Sequence, residues 1–489
     1  MKLENLSALE IGKLVNRKAI SAKEVVNYFC DRVESNNSKL NAFTYLERSD
    51  ALEEASRIDK QIADGEKVGP LAGVPVALKD FLPSKRGWTA SHGGVPSLVT
   101  QDTEDSRFYA AAKSLGAIAI GKTNAPSFGF RGTTDNVMYG ATKNPFDLSR
   151  NSGGSSGGSA AAVGAGFVSI AEGGDAGGSI RIPAAWCGCF GFKPSAGLVP
   201  SVCRPDAWTA THPYCCGGPI SRTVDDAAVI FEAMQGYDPR DPLSIPFKRR
   251  VRYLKGEGLK GLKVGVTYSF GGLFPHPEEP IAKAITFAVD DLRRMGAGIV
   301  APKFKFNYSR REYEEAWLRG ICIDTAIDME LWKKDGYDLA GDHADEVPEQ
   351  FIYWNDVAIK STMMDYRKFH DIRTDILDAH LNAFKDCDVI IAPVTGCLPV
   401  KNAEEGLTEG PSHIGNEKVD PLIGFGYTYL ENMIGFPAAS VPCVFSVESP
   451  AGLPIGIQVI APRYKDQLVF QVAYAIEHYR PWNYDGIQV

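Results

Sequence analysis

Apolar residues recur at helical spacing in the first sixty positions, as Ile11, Leu14 and Val15 and then as Val25, Val26 and Phe29. Each run follows a serine with a glutamate three residues on, Ser7-x-x-Glu10 and Ser21-x-x-Glu24, a pairing in which each side chain caps the other's backbone amide. Two amphipathic helices are predicted to open the chain and pack on the outside of its core. From about Gly69 to Ile230 short apolar runs, Val74 to Leu78 and Ala117 to Ile120, alternate with helical stretches such as Ser106 to Leu115. That alternation predicts a mostly parallel, buried sheet. Residues 303–385 carry more charge, with helical spacing and no clear strands. Strand-like runs return at Asp388 to Pro393, Ala439 to Pro442 and Ile455 to Ile460, and the polar stretch from Lys401 to Asp420 reads as a loop. The simplest account is α/β: one large domain over residues 1–489. Its mixed, mostly parallel sheet is built from both ends of the chain and covered by helices on both faces, with a helical excursion at 303–385 and a return to the sheet at 386–489.

Composition narrows the class. Of 489 residues, 44% are apolar, enough for a large core, and no apolar run approaches the roughly 18 residues that span a bilayer. The formal charge of −8 would repel a phosphate backbone, so nucleic acid is not the expected partner, and neither is a membrane. The N-terminus shows no secretory h-region or cleavage site, and the ten cysteines are read as reduced thiols in a cytoplasmic protein.

Three motifs invite chemistry that their surroundings do not support. Gly116-Ala-Ile-Ala-Ile-Gly121-Lys122-Thr123 matches a phosphate loop letter for letter, but its intervening residues are themselves the apolar strand and a helix precedes them. Gly153-Gly-Ser155-Ser-Gly157 matches a nucleophile elbow, yet a polar turn sequence stands where the buried strand should be. Cys187, Cys189, Cys203, Cys215 and Cys216 are crowded, but C-x-C and C-C pairs suit a tetrahedral metal poorly, and packed or pocket-lining thiols are the expectation. No metal and no organic cofactor is implied.

Residues 151–183 read NSGGSSGGSAAAVGAGFVSIAEGGDAGGSIRIP. A flexible linker would not run into a tightly apolar helical segment and then a second glycine cluster. Glycines placed this way let backbone approach a reacting atom and leave N–H groups free to converge. The stretch resembles the Gly/Ser-rich signature of the amidase signature family, whose members hydrolyse amide bonds with a Ser-Ser-Lys triad. Ser155 and Ser179 stand 24 residues apart, the family's interval. Gly73-Val-Pro-Val-Ala-Leu-Lys79-Asp80 resembles the strand that carries the family's lysine. Gly121-Lys-Thr-Asn124, Asn144-Pro-Phe-Asp147 and Cys187-Gly-Cys-Phe-Gly-Phe-Lys193-Pro194 resemble further landmarks in the expected order. The likeness is strongest over 69–200, which would be the catalytic core.

The resemblance implies that Ser179 is the nucleophile, Ser155 a bridging serine held by a cis peptide bond, and Lys79 the base. Each role has its own physical argument. A serine hydroxyl needs a neighbouring base, a lysine serves as one only when burial disfavours its ammonium form, and a second hydroxyl can relay the proton between them. Lys79 ends an apolar run, the setting such a base requires; its alternative is an ion pair with Asp80 or a place on the surface. Ala176, Gly177 and Gly178 would form the oxyanion hole. Asp175 and Arg181 are read as residues that fix the loop by hydrogen bonds. Where family members often have Gly-Thr-Asp, this chain has Gly173-Gly174-Asp175, one hydroxyl fewer.

The resemblance also places the acyl pocket after Asn124, with the Gly129 carbonyl offered to the leaving amide and Phe128 and Phe130 flanking it. Phe81, Trp88, Trp186 and Trp208 lie near other signature pieces, so an apolar or aromatic pocket follows if several of them face inward. The reading is a hydrolase acting through an acyl-enzyme on a small, apolar or aryl carboxamide, with esters or carbamates as side substrates. It would work as a homodimer or a monomer. The alternative is the glutaminase component of a tRNA-dependent amidotransferase. Glutamine-using members carry a Gly- and Tyr-rich helix where this chain has Ser361-Thr-Met-Met-Asp-Tyr-Arg-Lys-Phe-His370.

Overall fold

The structure is a computed structural model that describes residues 2–81, 83–204, 206–446, 452–482, 484 and 487–489. Eleven strands form one central sheet. In chain order they are β1 (Phe43–Leu46), β2 (Pro75–Lys79), β3 (Ile118–Thr123), β4 (Ile170–Asp175), β5 (Phe190–Lys193) and β6 (Cys216–Ser221). These are followed by β7 (Lys263–Val266), β8 (Gly298–Val300), β9 (Val389–Pro393), β10 (Ala438–Ser446) and β11 (Leu453–Ile460). Across the sheet they lie in the order β1-β3-β2-β4-β6-β5-β10-β11-β9-β7-β8, so both ends of the chain build it.

The single α/β domain and the mixed sheet are as the sequence predicts; the predominance of parallel pairing is not. Parallel ladders join only β3–β2–β4 and β9–β7–β8. The other six ladders, β1–β3, β4–β6, β6–β5, β5–β10, β10–β11 and β11–β9, are antiparallel. A parallel pair needs a crossover of a dozen or more residues. Such connections exist in the first half, where helix Arg107–Ser114 links β2 to β3 and helix Gly157–Gly164 links β3 to β4. Between β10 and β11 the chain is too short for one.

Alternation along each strand divides the interior in two. Val389 and Ile391 of β9 join one apolar cluster, whereas Ile390 and Ala392 join the other. Val459 and Ile460 of β11 separate in the same way, since successive side chains leave opposite faces. The first cluster includes the two N-terminal helices, Ala8–Asn16 and Ala22–Leu40, whose capping boxes both form. The buried Asp226 carboxylate accepts the Ala8 and Leu9 amides at 2.9 and 3.1 Å and anchors the first helix. The second cluster lies under helices Arg310–Lys334, Glu349–Ile359 and Met363–Ala383.

Lys79, Thr123 and Asp175 end the three adjacent parallel strands β2, β3 and β4. Ligand crevices of open α/β sheets form at such carboxyl ends.

Candidate active site

Alternation on β2 settles the choice between Lys79 and Asp80 partners. The Asp80 carboxylate accepts the Ser91 amide at 3.1 Å and hydroxyl at 2.6 Å and pairs with the Lys122 ammonium at 3.3 Å. Lys122 also donates to Asp102 at 2.8 Å, so the lysine of the phosphate-loop look-alike is a buried structural cation. Lys79 leaves the other face. It is 4% exposed, and its Nζ lies 2.7 Å from Ser155 Oγ and 5.2 Å from the centre of the Phe81 ring. Burial pulls its pKa from 10.5 down to about 8, against the opposing pull of Cys215, Asp175 and Glu172.

Ser155 is buried and follows Gly154 through a cis peptide bond, as the family resemblance implies. Only glycine fits at 154, because a Cβ there would stand 2.7 Å from the Thr133 carbonyl carbon. Ser155 is thus bonded to a lysine rather than a histidine, and the elbow reading falls away. The adjacent Ser156 amide donates to the Ser179 carbonyl at 3.1 Å and ties the two serine segments together. Ser179 itself is half-buried, and its hydroxyl makes no hydrogen bond among the described residues.

The loop that presents Ser179 is held from all sides. Asp175 accepts the Gly178 amide at 2.8 Å and the Ile180 amide at 3.2 Å, and takes Arg181 in a two-pronged pair at 2.9 and 3.0 Å. Burial alone would raise the Asp175 pKa, but the Arg181 guanidinium holds it at about 2. Arg181, fully buried, reaches further to Gln458 at 2.5 Å, Asn432 at 2.6 Å and Glu431 at 3.3 Å. Both residues are thus hydrogen-bonded into the loop.

Two of the loop's carbonyls are held by buried side chains: Trp317 Nε1 donates to Ala176 O at 2.8 Å, and the Thr428 hydroxyl donates to Gly177 O at 2.6 Å. The Trp317 ring packs so closely that a Cβ on Gly177 would lie 2.4 Å from it. In a trans peptide the N–H points opposite to the preceding carbonyl, so the Gly177 amide is turned away from Trp317. The amides of Ala176, Gly177 and Ser179 have no acceptor among the described residues. Gly178 differs from expectation, because its amide is already bonded to Asp175.

The candidate pocket residues divide. Gly129 faces the site, since a methyl group there would sit 3.2 Å from Ser155 Oγ and 3.3 Å from the Phe81 ring. Phe128 does not line it as expected. Its ring stacks on Trp332 and Phe351 at 5.1 and 4.8 Å, drawn off into the apolar cluster beneath the helices. Phe130 packs edge-on against Phe351. Trp88 and Trp186 are core residues, Trp208 is exposed, and Phe81 is the aromatic that reaches Lys79. Cys187 and Cys189 are fully buried, with Sγ atoms on the Ser152 and Ala160 carbonyls. Cys215 lies within electrostatic reach of Lys79. Among the described residues no His, Cys, Asp and Glu side chains gather to hold a metal, and no helix is long and apolar enough to cross a membrane. Nothing in the spacing around Trp317, Thr428, Asn432 or Glu172 marks them as neighbours of this site.

Comparison with known proteins places the chain in a family. The sequence profile of the amidase family matches residues 24–470. The chain belongs to the amidase signature family. Among amidase signature relatives, a glutamyl-tRNA(Gln) amidotransferase component from Alkaliphilus metalliredigens is 33% identical over 98% of this chain and 97% of its own. An acylamidase of Rhodococcus erythropolis is 31% identical over 98% of this chain and 96% of its own. The crystal structure of a bacterial aryl acylamidase of the same family superposes with a TM-score of 0.94 at 39% identity, covering 98% of this chain and 97% of that one. The protein is an amide-hydrolysing enzyme of the amidase signature family.

Proposed function

We propose that this amidase hydrolyses a small apolar or aryl carboxamide through an acyl-enzyme, with Ser179 as nucleophile, Ser155 as bridge and Lys79 as base. The observation that carries the reading is the Lys79–Ser155 contact of 2.7 Å, made by an amine that burial brings to about 8. Ser179 Oγ attacks the amide carbon while its proton passes to Ser155 and that of Ser155 to Lys79. The amides of Ala176, Gly177 and Ser179 receive the oxyanion, a well-aimed donor contributing about 3 kcal/mol. The Lys79 ammonium returns a proton through Ser155 to the leaving nitrogen, and the carbon–nitrogen bond breaks. Water then attacks the acyl-Ser179 ester by the same relay. The relay needs no metal, so EDTA should leave the rate unchanged.

An aryl or apolar group suits the surroundings of Phe81 and Gly129, and the likeness to an aryl acylamidase supports that choice. The likeness to glutamyl-tRNA(Gln) amidotransferase components keeps a second reading, glutamine hydrolysis for a partner. Turnover of aryl amides and of glutamine by the chain alone separates them, with Ser179→Ala as the blank. Aryl-amide hydrolysis without glutaminase supports the proposal; glutaminase without aryl-amide hydrolysis overturns it.

A further inference from the structure

The ladder between β2 and β4 has two rungs, Val76↔Ile170 and Ala77↔Ala171, and then the strands part. Their parting makes room for the site but leaves the Lys79 amide without a carbonyl from β4. The Glu172 carboxylate takes that amide instead, at 3.2 Å. Glu172 also binds the side chain of Ser106, the N-cap of helix Arg107–Ser114, so the end of β2 is tied to the start of that helix. A carbonyl or an amide oxygen would satisfy the N–H as well. A carboxylate brings a charge in addition, within electrostatic reach of the Lys79 amine.

We propose that Glu172 is a positioning residue for amide hydrolysis: it fixes the Lys79 backbone where the β2–β4 ladder opens and adds one negative charge to the field in which the amine loses its proton. The inference rests on Lys79 acting as the base. The charged and titratable groups whose fields reach Lys79 are Cys215, Asp175 and Glu172, and those whose fields reach Glu172 include Lys122 and Asp102. Burial raises the Glu172 carboxyl to about 7, so it is ionised by the pH at which Lys79 sheds its proton. Its negative charge favours the ammonium form. Removing the charge must therefore move the rising limb of kcat/KM toward lower pH.

The experiment compares kcat and kcat/KM from about pH 6 to 10 for the wild type, Glu172→Gln, Glu172→Ala and Lys79→Ala on one aryl amide. Glu172→Gln keeps an acceptor for the Lys79 amide, so its plateau kcat should stay within about threefold of wild type while the limb shifts down. Glu172→Ala loses the acceptor, and its plateau kcat should fall roughly tenfold or more with KM little changed. An unmoved limb in Glu172→Gln, or an unchanged plateau in Glu172→Ala, overturns the proposal; if Glu172→Ala does not fold, the limb in Glu172→Gln decides. Wild-type activity in Lys79→Ala would instead remove the base from under both readings.

Discussion

Lys79 sits where an ammonium has lost nearly all of its water, and the fall of its pKa from 10.5 to about 8 corresponds to about 3 kcal/mol of lost stability at neutral pH. Because the folded value lies below the unfolded one, the unfolded chain holds the proton more tightly between them. The penalty is complete below about 8 and fades as the pH rises toward 10.5. Lys79→Met should thus abolish turnover yet raise the unfolding free energy at pH 7, by up to about 3 kcal/mol less the lost Ser155 bond. Denaturant melts at pH 7 would check this, and an equal or lower stability contradicts it. The same depressed pKa predicts that kcat/KM climbs through about pH 8 to a plateau; a flat profile from pH 6 to 9, with chemistry limiting, speaks against the lysine. At this scale much was legible. Local motifs name Lys79, Ser155 and Ser179, and strand alternation separates Lys79 from Asp80. The absent hydroxyl at Gly174 has its meaning only in space, where a Cβ would stand 4.0 Å from Lys79 Nζ with no other heavy atom as near.

Among the elements, helix Arg310–Lys334 does more than cover the sheet, since Trp317 holds the Ala176 carbonyl and so turns the Gly177 amide. Trp317→Phe keeps an aromatic ring, though a smaller one, and drops that bond. Its kcat should fall roughly tenfold with KM within about threefold, whereas Trp317→Ala, which also opens a cavity, should lose stability as well, by about 3–5 kcal/mol. Steady-state kinetics beside a thermal melt distinguishes the two effects. The contact joins residues 141 apart, so no spacing rule could announce it. Phe128 failed as a pocket residue for the related reason that its ring had partners, Trp332 and Phe351, more than 200 positions downstream. The capping boxes at Ser7 and Ser21, by contrast, were readable because cap and partner lie three residues apart.

For the molecule as a whole, the alternation of apolar runs and helices conveyed the α/β class and the use of both chain ends, but not strand direction. Direction depends on which distant strands become neighbours, as when β10 inserts beside β5. Covalent chemistry at Ser179 gives a test at this level. A fluorophosphonate should add one label to the intact wild-type protein by mass spectrometry and none to Ser179→Ala, and equal labelling of both would rule out that nucleophile. Arg181 carries a last implication. Its guanidinium gathers Asp175, four residues before Ser179, together with Glu431, Asn432 and Gln458 from the far end of the chain. A nascent polypeptide halted after three hundred residues already owns both serines and the lysine. It lacks the clasp that shapes their loop, so hydrolysis should switch on only when translation is nearly finished.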